Sequence, residues 1–232
     1  MVLKVAHRGD PLRLRENTLP SLESAIEGGA DCVEVDIRLT RDGVAVLLHD
    51  DTLRRLWGVR RPLSSVREDE LEQLVGRGEW RIPTLGDALG LVVGRGVSLM
   101  VDVRGRPEGR AAVEAVRAHG HIGKVLFTGD PMALGEIRAV LPDALIAMTW
   151  KKPWPPGSDL VDHVRPQYLN QRHVWVTARG VRAAHALGLK VCAWTVDRPR
   201  RMAALASYGV DAIISNDIRA LTATLASRAP AP

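Results

Sequence analysis

Glu34 and Asp36 stand two residues apart in the stretch "CVEVDIRLTRDGVAVLLHD", which spans 32–50. Apolar residues alternate with the acids, which predicts a strand carrying both carboxylates on one face. Asp42-Gly43 then marks a tight hairpin turn. With residues 41 and 44 flanking that turn, position 36 falls opposite position 49, so His49 is expected beside Asp36. Elsewhere "VAHRG" presents His7 and Arg8, and "LMVDVRG" presents Asp102 and Arg104.

Three carboxylates converging on one rim repel each other unless protons or a cation neutralise them. Ligation by oxygen alone suits a hard ion. Glu34, Asp36 and Asp102 are therefore the candidate ligands of one divalent cation, Mg2+ or Ca2+. The competing reading makes them structural, with Asp102 paired to Arg104 and Glu34 to Arg38. His7 and His49 could divide base and acid roles near neutral pH. Arg8 is a fixed cation able to grip a phosphate in two places. Together these parts describe hydrolysis at a phosphoryl centre. His119, His121, His163, His173 and His185 fall in predicted helices or loops and read as surface or structural.

These side chains need a scaffold, and nine strand-like runs offer one. They lie at 3–7, 32–37, 44–49, 97–103, 124–129, 145–150, 167–170, 190–196 and 211–215. Helical patterns separate most of them, at 18–28, 84–93, 109–120, 132–141, 177–188, 199–208 and 217–227, with a short helix expected after "KKPWPPG". Thr18, Thr84 and Thr177 are predicted N-caps, and Gly28, Gly188 and Gly209 predicted stops. The connection from 37 to 44 is too short for a parallel crossover, so 44–49 is the returning arm of a hairpin. Eight strands then alternate with eight helices, the pattern of a (β/α)8 TIM barrel with a β-hairpin extension after strand 2. A doubly wound open sheet is the alternative, without the glycine-rich fingerprint of its dinucleotide-binding version. The chain, 1–232, reads as one barrel domain with an insertion at 50–83 above the mouth, carrying a short helix near 66–75. Asn170, Trp194 and Asn216-Asp217 also fall at strand ends, where barrels keep their active sites.

Bulk composition narrows the classes. At 232 residues and 46% hydrophobic, the chain can bury a substantial core. Its net charge of +5 is spread along the chain, and aromatics are only 4%, which argues against nucleic acid as a partner. Cys32 and Cys192 sit in apolar runs and read as buried thiols. No apolar run reaches membrane-spanning length and no signal peptide precedes the first strand, so a cytoplasmic location is expected.

The series "AHRG", "ENT", "EVDIRLTRDGVAVLLHDDTL", "IPTLGDAL", "LMVDVRG", "VCAWTVD" and "GVDAIISND" resembles the glycerophosphodiester phosphodiesterase family, in order and over nearly the whole chain. The resemblance implies a (β/α)8 barrel in which a divalent ion assists cleavage of glycerophosphodiesters to glycerol 3-phosphate and an alcohol. It makes His7 and His49 the acid–base pair, Arg8 a phosphate contact, Glu34 and Asp36 metal ligands, and Glu16 a hydrogen-bonding or charge-balancing neighbour. Asp102 and Arg104 stand where the family carries a glutamate and a lysine, so one ligand is a methylene shorter and a guanidinium replaces a point-like ammonium. Trp194 resembles an aromatic wall on the glycerol or alcohol side. Two other functions stay open. One is the same chemistry on a lysophospholipid, with residues 50–83 and Trp57 forming an acyl groove; the other is a barrel that binds phosphodiesters without cleaving them.

Overall fold

The computed structural model describes residues 2–76, 80–120 and 122–227. The expectations for His121 and for the tail beyond residue 227 lie outside the described residues. Among the described residues nine strands appear: β1 (Leu3–His7), β2 (Cys32–Leu39), β3 (Ala45–Leu47), β4 (Ser98–Val103), β5 (Val125–Gly129), β6 (Leu145–Trp150), β7 (Tyr168–Arg172), β8 (Lys190–Trp194) and β9 (Ala212–Ser215). All but β3 run parallel and pair in chain order, and β9 returns to β1 to close an eight-stranded barrel. Helices connect them: α1 (Leu19–Glu27), α2 (Arg54–Trp57), α3 (Glu68–Val75), α4 (Leu85–Gly94), α5 (Arg106–His119), α6 (Pro131–Val140), α7 (Ser158–Val164), α8 (Ala178–Ala186), α9 (Pro199–Tyr208) and α10 (Ile218–Ala226). None of the described helices is long and apolar enough to cross a membrane.

Side-chain caps open four of the described helices, α4, α6, α8 and α10. Thr84 and Thr177 accept from the amides of Asp87 and Gly180, as their positions predict. Thr18 does not cap with its side chain; its hydroxyl donates to the Arg15 carbonyl instead. Helix α5 begins at Arg106, three residues before the predicted start, because Pro107 suits the first turn of a helix.

The barrel strands have two faces with different duties. Val33, Val35, Ile37, Leu99, Val101 and Phe127 point outward and pack under the helices in the main core. Each fully buried residue of that size contributes about 1.5–3 kcal/mol. Cys32, Met100, Leu126, Ala147 and Cys192 point inward and plug the lower end of the barrel. Two residues further up the same inward columns stand Glu34, Asp102, Thr128, Thr149 and Trp194. The two-residue period of a strand thus converts an apolar plug into a polar floor within one turn of the pleat. Both cysteines are free and fully buried, and burial pushes their thiols far above the ordinary value.

The hairpin register differs by one residue from the expected pairing. Ile37 pairs with Leu47 and Arg38 with Val46, so Asp36 faces Leu48, whose amide donates to the Asp36 carbonyl at 3.0 Å. The cause is a three-residue loop. Thr40 closes it, donating its amide to the Val44 carbonyl and its hydroxyl to Asp42 at 2.7 Å, while Gly43 takes φ +84°. A one-residue slip turns each side chain to the other face. Val46 and Leu48 accordingly enter a satellite core with Leu53, Leu63 and Leu71 of the insertion. His49 reaches the barrel mouth only because β3 ends at Leu47 and the chain bends there.

Candidate active site

A cleft of about 690 Å³ opens at the carboxyl ends of the strands, lined by His7, Arg8, Glu34, Asp36, His49, Asp102, Arg104 and Trp194 among others. Of the residues selected from sequence, Asn170 also lines it, whereas Glu16, Asn216 and Asp217 are outside its wall. Glu34, Asp36 and Asp102 each bring a carboxylate oxygen within 4.8 Å of the other two. Burial, with the neighbouring carboxylates behind it, pushes Glu34 well above its ordinary range and Asp102 up to about 6. The competing ion pairs are not formed: Arg38 meets Asp51 at 3.0 Å, and Arg104 turns to His49. This donor set, oxygen-only and carrying unfavourable negative charge, fits a hard divalent cation.

Several residues hold the triad in place. Arg8 sits in the left-handed region at φ +61°, costly for a non-glycine residue and a mark of a constrained site. Its amide donates to Glu34 Oε2 at 3.0 Å, its Nη1 donates to Glu16 at 3.1 Å, and its Nε lies 2.9 Å from Asp36 Oδ2 as a close charge contact without a directed hydrogen bond. Asn17, also left-handed, donates Nδ2 to Asp36 Oδ2 at 2.9 Å and accepts the Asp36 amide at 3.2 Å. In the "ENT" segment the sequence marks Glu16 for the site and Thr18 for a cap, and leaves Asn17 without a role. Glu16 stands one layer back, accepting from both Arg8 and Arg55.

Gly129, at the end of β5, is a second overlooked residue. Its φ of +118° disfavours any side chain, and a Cβ there would run into Asp102 Oδ1 and the Val103 carbonyl. Gly129→Ala should therefore shift Asp102 and lose at least about 1–3 kcal/mol to backbone strain alone. Thermal melts with and without Mg2+ check this. A variant with the wild-type Tm and wild-type ion response would show that the glycine does not shape the site.

The two histidines have opposite surroundings. Asn216 donates its Nδ2 to Asp197 Oδ2 at 2.8 Å, which turns its Oδ1 toward His7 Nδ1 at 2.7 Å. An amide oxygen only accepts, so His7 carries its proton on Nδ1 and keeps the Nε2 lone pair free. Burial, and then the Arg8 charge, hold the His7 pKa below its usual 6.5. At His49 the logic runs through Arg104, whose Nη2 lies 2.7 Å from Nε2 and can only donate. The His49 proton is therefore on Nδ1, donated to Asp50 Oδ1 at 2.8 Å. Arg55 of α2 grips Asp50 through Nε at 2.6 Å and holds that carboxyl down at about 2. The sequence places Asn216 at a strand end and Asp50 next to His49, but Asp197 and Arg55 act from other segments, which no local spacing links to the histidines. The Trp194 indole donates to the Asn170 carbonyl at 3.1 Å, which stands its ring against the cleft.

Comparison with known proteins agrees with this geometry. The model of the glycerophosphoryl diester phosphodiesterase family matches residues 7–220. A glycerophosphodiester phosphodiesterase of Caldanaerobacter subterraneus is 26% identical over 93% of this chain and 94% of its own. Among solved structures, an Oleispira antarctica phosphodiesterase in complex with the product sn-glycerol-3-phosphate superposes with a TM-score of 0.85, at 25% identity, covering 97% of this chain and 96% of that one. The glycerophosphodiester phosphodiesterase of Thermotoga maritima has the same fold, with a TM-score of 0.82 at 23% identity over 97% of this chain and 98% of that one. With the match running through nearly every barrel strand, the chain belongs to the glycerophosphoryl diester phosphodiesterase family and is a phosphoric diester hydrolase.

Proposed function

We propose that this protein hydrolyses glycerophosphodiesters to glycerol 3-phosphate and an alcohol, using one divalent cation and two histidines in distinct roles. The observation that carries the reading is the carboxylate triad, with ligand oxygens within 4.8 Å, flanked in the same cleft by His7 and His49. Glu34, Asp36 and Asp102 would hold Mg2+ or Ca2+, which when bound supplies positive charge to the phosphoryl oxygens. Arg8 and Arg104 add fixed cations on the cleft wall.

His7 is the base. Its free Nε2 removes the proton from the glycerol 2-hydroxyl, whose oxygen bonds to phosphorus while the bond from phosphorus to the alcohol oxygen breaks. His49 is the acid and donates its Nε2 proton to that departing oxygen. To carry this proton its Nε2 must be released by Arg104, which turns to the phosphate, while Asp50 supports the imidazolium from the other side. In the second half His49 takes a proton from water, the water oxygen opens the cyclic phosphate, and His7 returns its proton to the glycerol oxygen. Both histidines end as they began.

The lysophospholipid reading finds no groove among the described residues. None of the described residues of 50–83 lines the cleft, and Trp57 packs into the satellite core with the Arg15 guanidinium 4.3 Å above its ring. Incubating the protein with glycerophosphocholine, glycerophosphoethanolamine and glycerophosphoglycerol should release glycerol 3-phosphate with Mg2+ or Ca2+, and chelation should stop it. Deacylated substrates should outpace lysophosphatidylcholine. Absence of turnover on all of them with any divalent ion sinks the proposal, and leaves a barrel that binds without cleaving.

A further inference from the structure

The cleft carries cations that the reaction above leaves unused. Strand β6 ends at Trp150, and Lys151 and Lys152, which follow it, both line the cleft while remaining exposed. Neither pairs with a carboxylate among the described residues. Lys152 is seated: its Nζ lies 5.3 Å from the centre of the Trp150 ring and 5.8 Å from that of Trp154. The loop is folded back on itself, with the Trp150 indole donating to the Trp154 carbonyl at 2.5 Å and Gln171 Nε2 donating to the Lys152 carbonyl at 3.3 Å. A cation held over two indole faces is positioned before any ligand arrives. Asp130, an acid on the same wall, spends its Oδ1 capping α6, where it accepts from the Met132 and Ala133 amides.

This arrangement selects among leaving alcohols. Paired tryptophans are the surface on which a quaternary ammonium would otherwise be recognised. Here the protein's own ammonium fills that seat, so choline would have to expel Lys152 and sit among Lys151 and Arg104. An anion meets the opposite field. We propose that Lys151 and Lys152 form a second phosphate subsite, and that the enzyme prefers glycerophosphodiesters whose leaving alcohol carries another phosphate over those of cationic amino alcohols. The inference rests on the phosphodiesterase reading and names the substrate class of that same cleft.

The test compares kcat/KM for bis(glycerophospho)glycerol, glycerophosphoglycerol and glycerophosphocholine with Mg2+. The doubly phosphorylated compound should exceed the choline compound by at least about tenfold, equivalent to about 1.4 kcal/mol. K152E should shrink that ratio at least tenfold, and K152Q by less. Each ratio comes from one preparation, so a poorly folded fraction cancels. Higher salt should compress the wild-type ratio, since the subsite is exposed to solvent. A wild-type ratio at or below one, or a ratio unchanged in K152E, overturns the subsite while glycerol 3-phosphate release still supports the phosphodiesterase. Calorimetric binding of the same compounds separates the two failures if none is turned over. Preference for the doubly phosphorylated compound, lost in K152E, then supports the subsite without the reaction, and equal binding overturns it.

Discussion

Asp36→Asn should lower kcat/KM by at least about 10³-fold at saturating Mg2+, the largest effect expected of any single substitution here. The amide keeps an oxygen for Arg8 and Asn17, which meet the carboxylate at 2.9 Å each, so the surrounding structure has little reason to move. What is lost is one charge of the three that would hold the ion. Charge stabilisation by a metal is worth several kcal/mol, and each 1.4 kcal/mol is about tenfold in rate. Near-wild-type turnover, with the ion still bound, would remove Asp36 from the ligand set.

The same triad ties ion binding to pH. Burial pushes Glu34 well above 4.5 and Asp102 from 3.8 to about 6 in the ion-free protein. A folded-state carboxyl raised in this way binds its proton more tightly than the unfolded chain does. Its contribution to stability is present below the unfolded value and is lost as pH rises through about 6. Above that pH Asp102 adds its charge to the cluster, and a cation relieves what its proton relieves in acid. The rise in Tm on adding Mg2+ should therefore be larger at pH 8 than at pH 5, and it should largely vanish in Asp36→Asn. An equal rise at both pH values would mean the ion binds elsewhere.

How much of this was legible in sequence depends on the range of the interaction. The period-two column Cys32-Glu34-Asp36 is a local signal, and the structure turns all three inward as that period requires. The count of eight strands needed only the shortness of the 37–44 connection. The hairpin register differs by one residue because Asp42-Gly43 predicts a two-residue turn, whereas the Thr40 side chain stabilises a three-residue loop. His49 still arrives at the cleft, but by a bend after β3 instead of by pairing with Asp36. Asn216 reaches His7 from the end of β9, across 209 residues, and is held by Asp197 from beyond β8, so only barrel closure joins them. Arg55 lies in an insertion with no periodicity to read, and it governs the site by linking Asp50 to Glu16.

His7→Ala and His49→Ala should each reduce kcat by about 10²–10⁴-fold, the usual share of a general acid or base, with Tm little changed. The two losses differ in kind, and a change of leaving group separates them. An aryl glycerophosphodiester with a 4-nitrophenol leaving group departs without a proton. It should restore most of the rate to His49→Ala, the acid variant, and little to His7→Ala, the base variant. The pH profile carries the second distinction. Burial and the Arg8 charge keep the His7 pKa below 6.5, so the working, unprotonated base persists into mildly acidic solution and is lost only as pH falls through that lowered value. The acid limb of kcat/KM should then lie below pH 6.5. Replacing Asn216 with alanine frees the ring to adopt either tautomer, and a rate loss through kcat instead of KM is the expected result. Rescue of His7→Ala by the aryl substrate would reverse the assignment, making His7 the acid and leaving the Asp197–Asn216 pair to position a donor instead of a base.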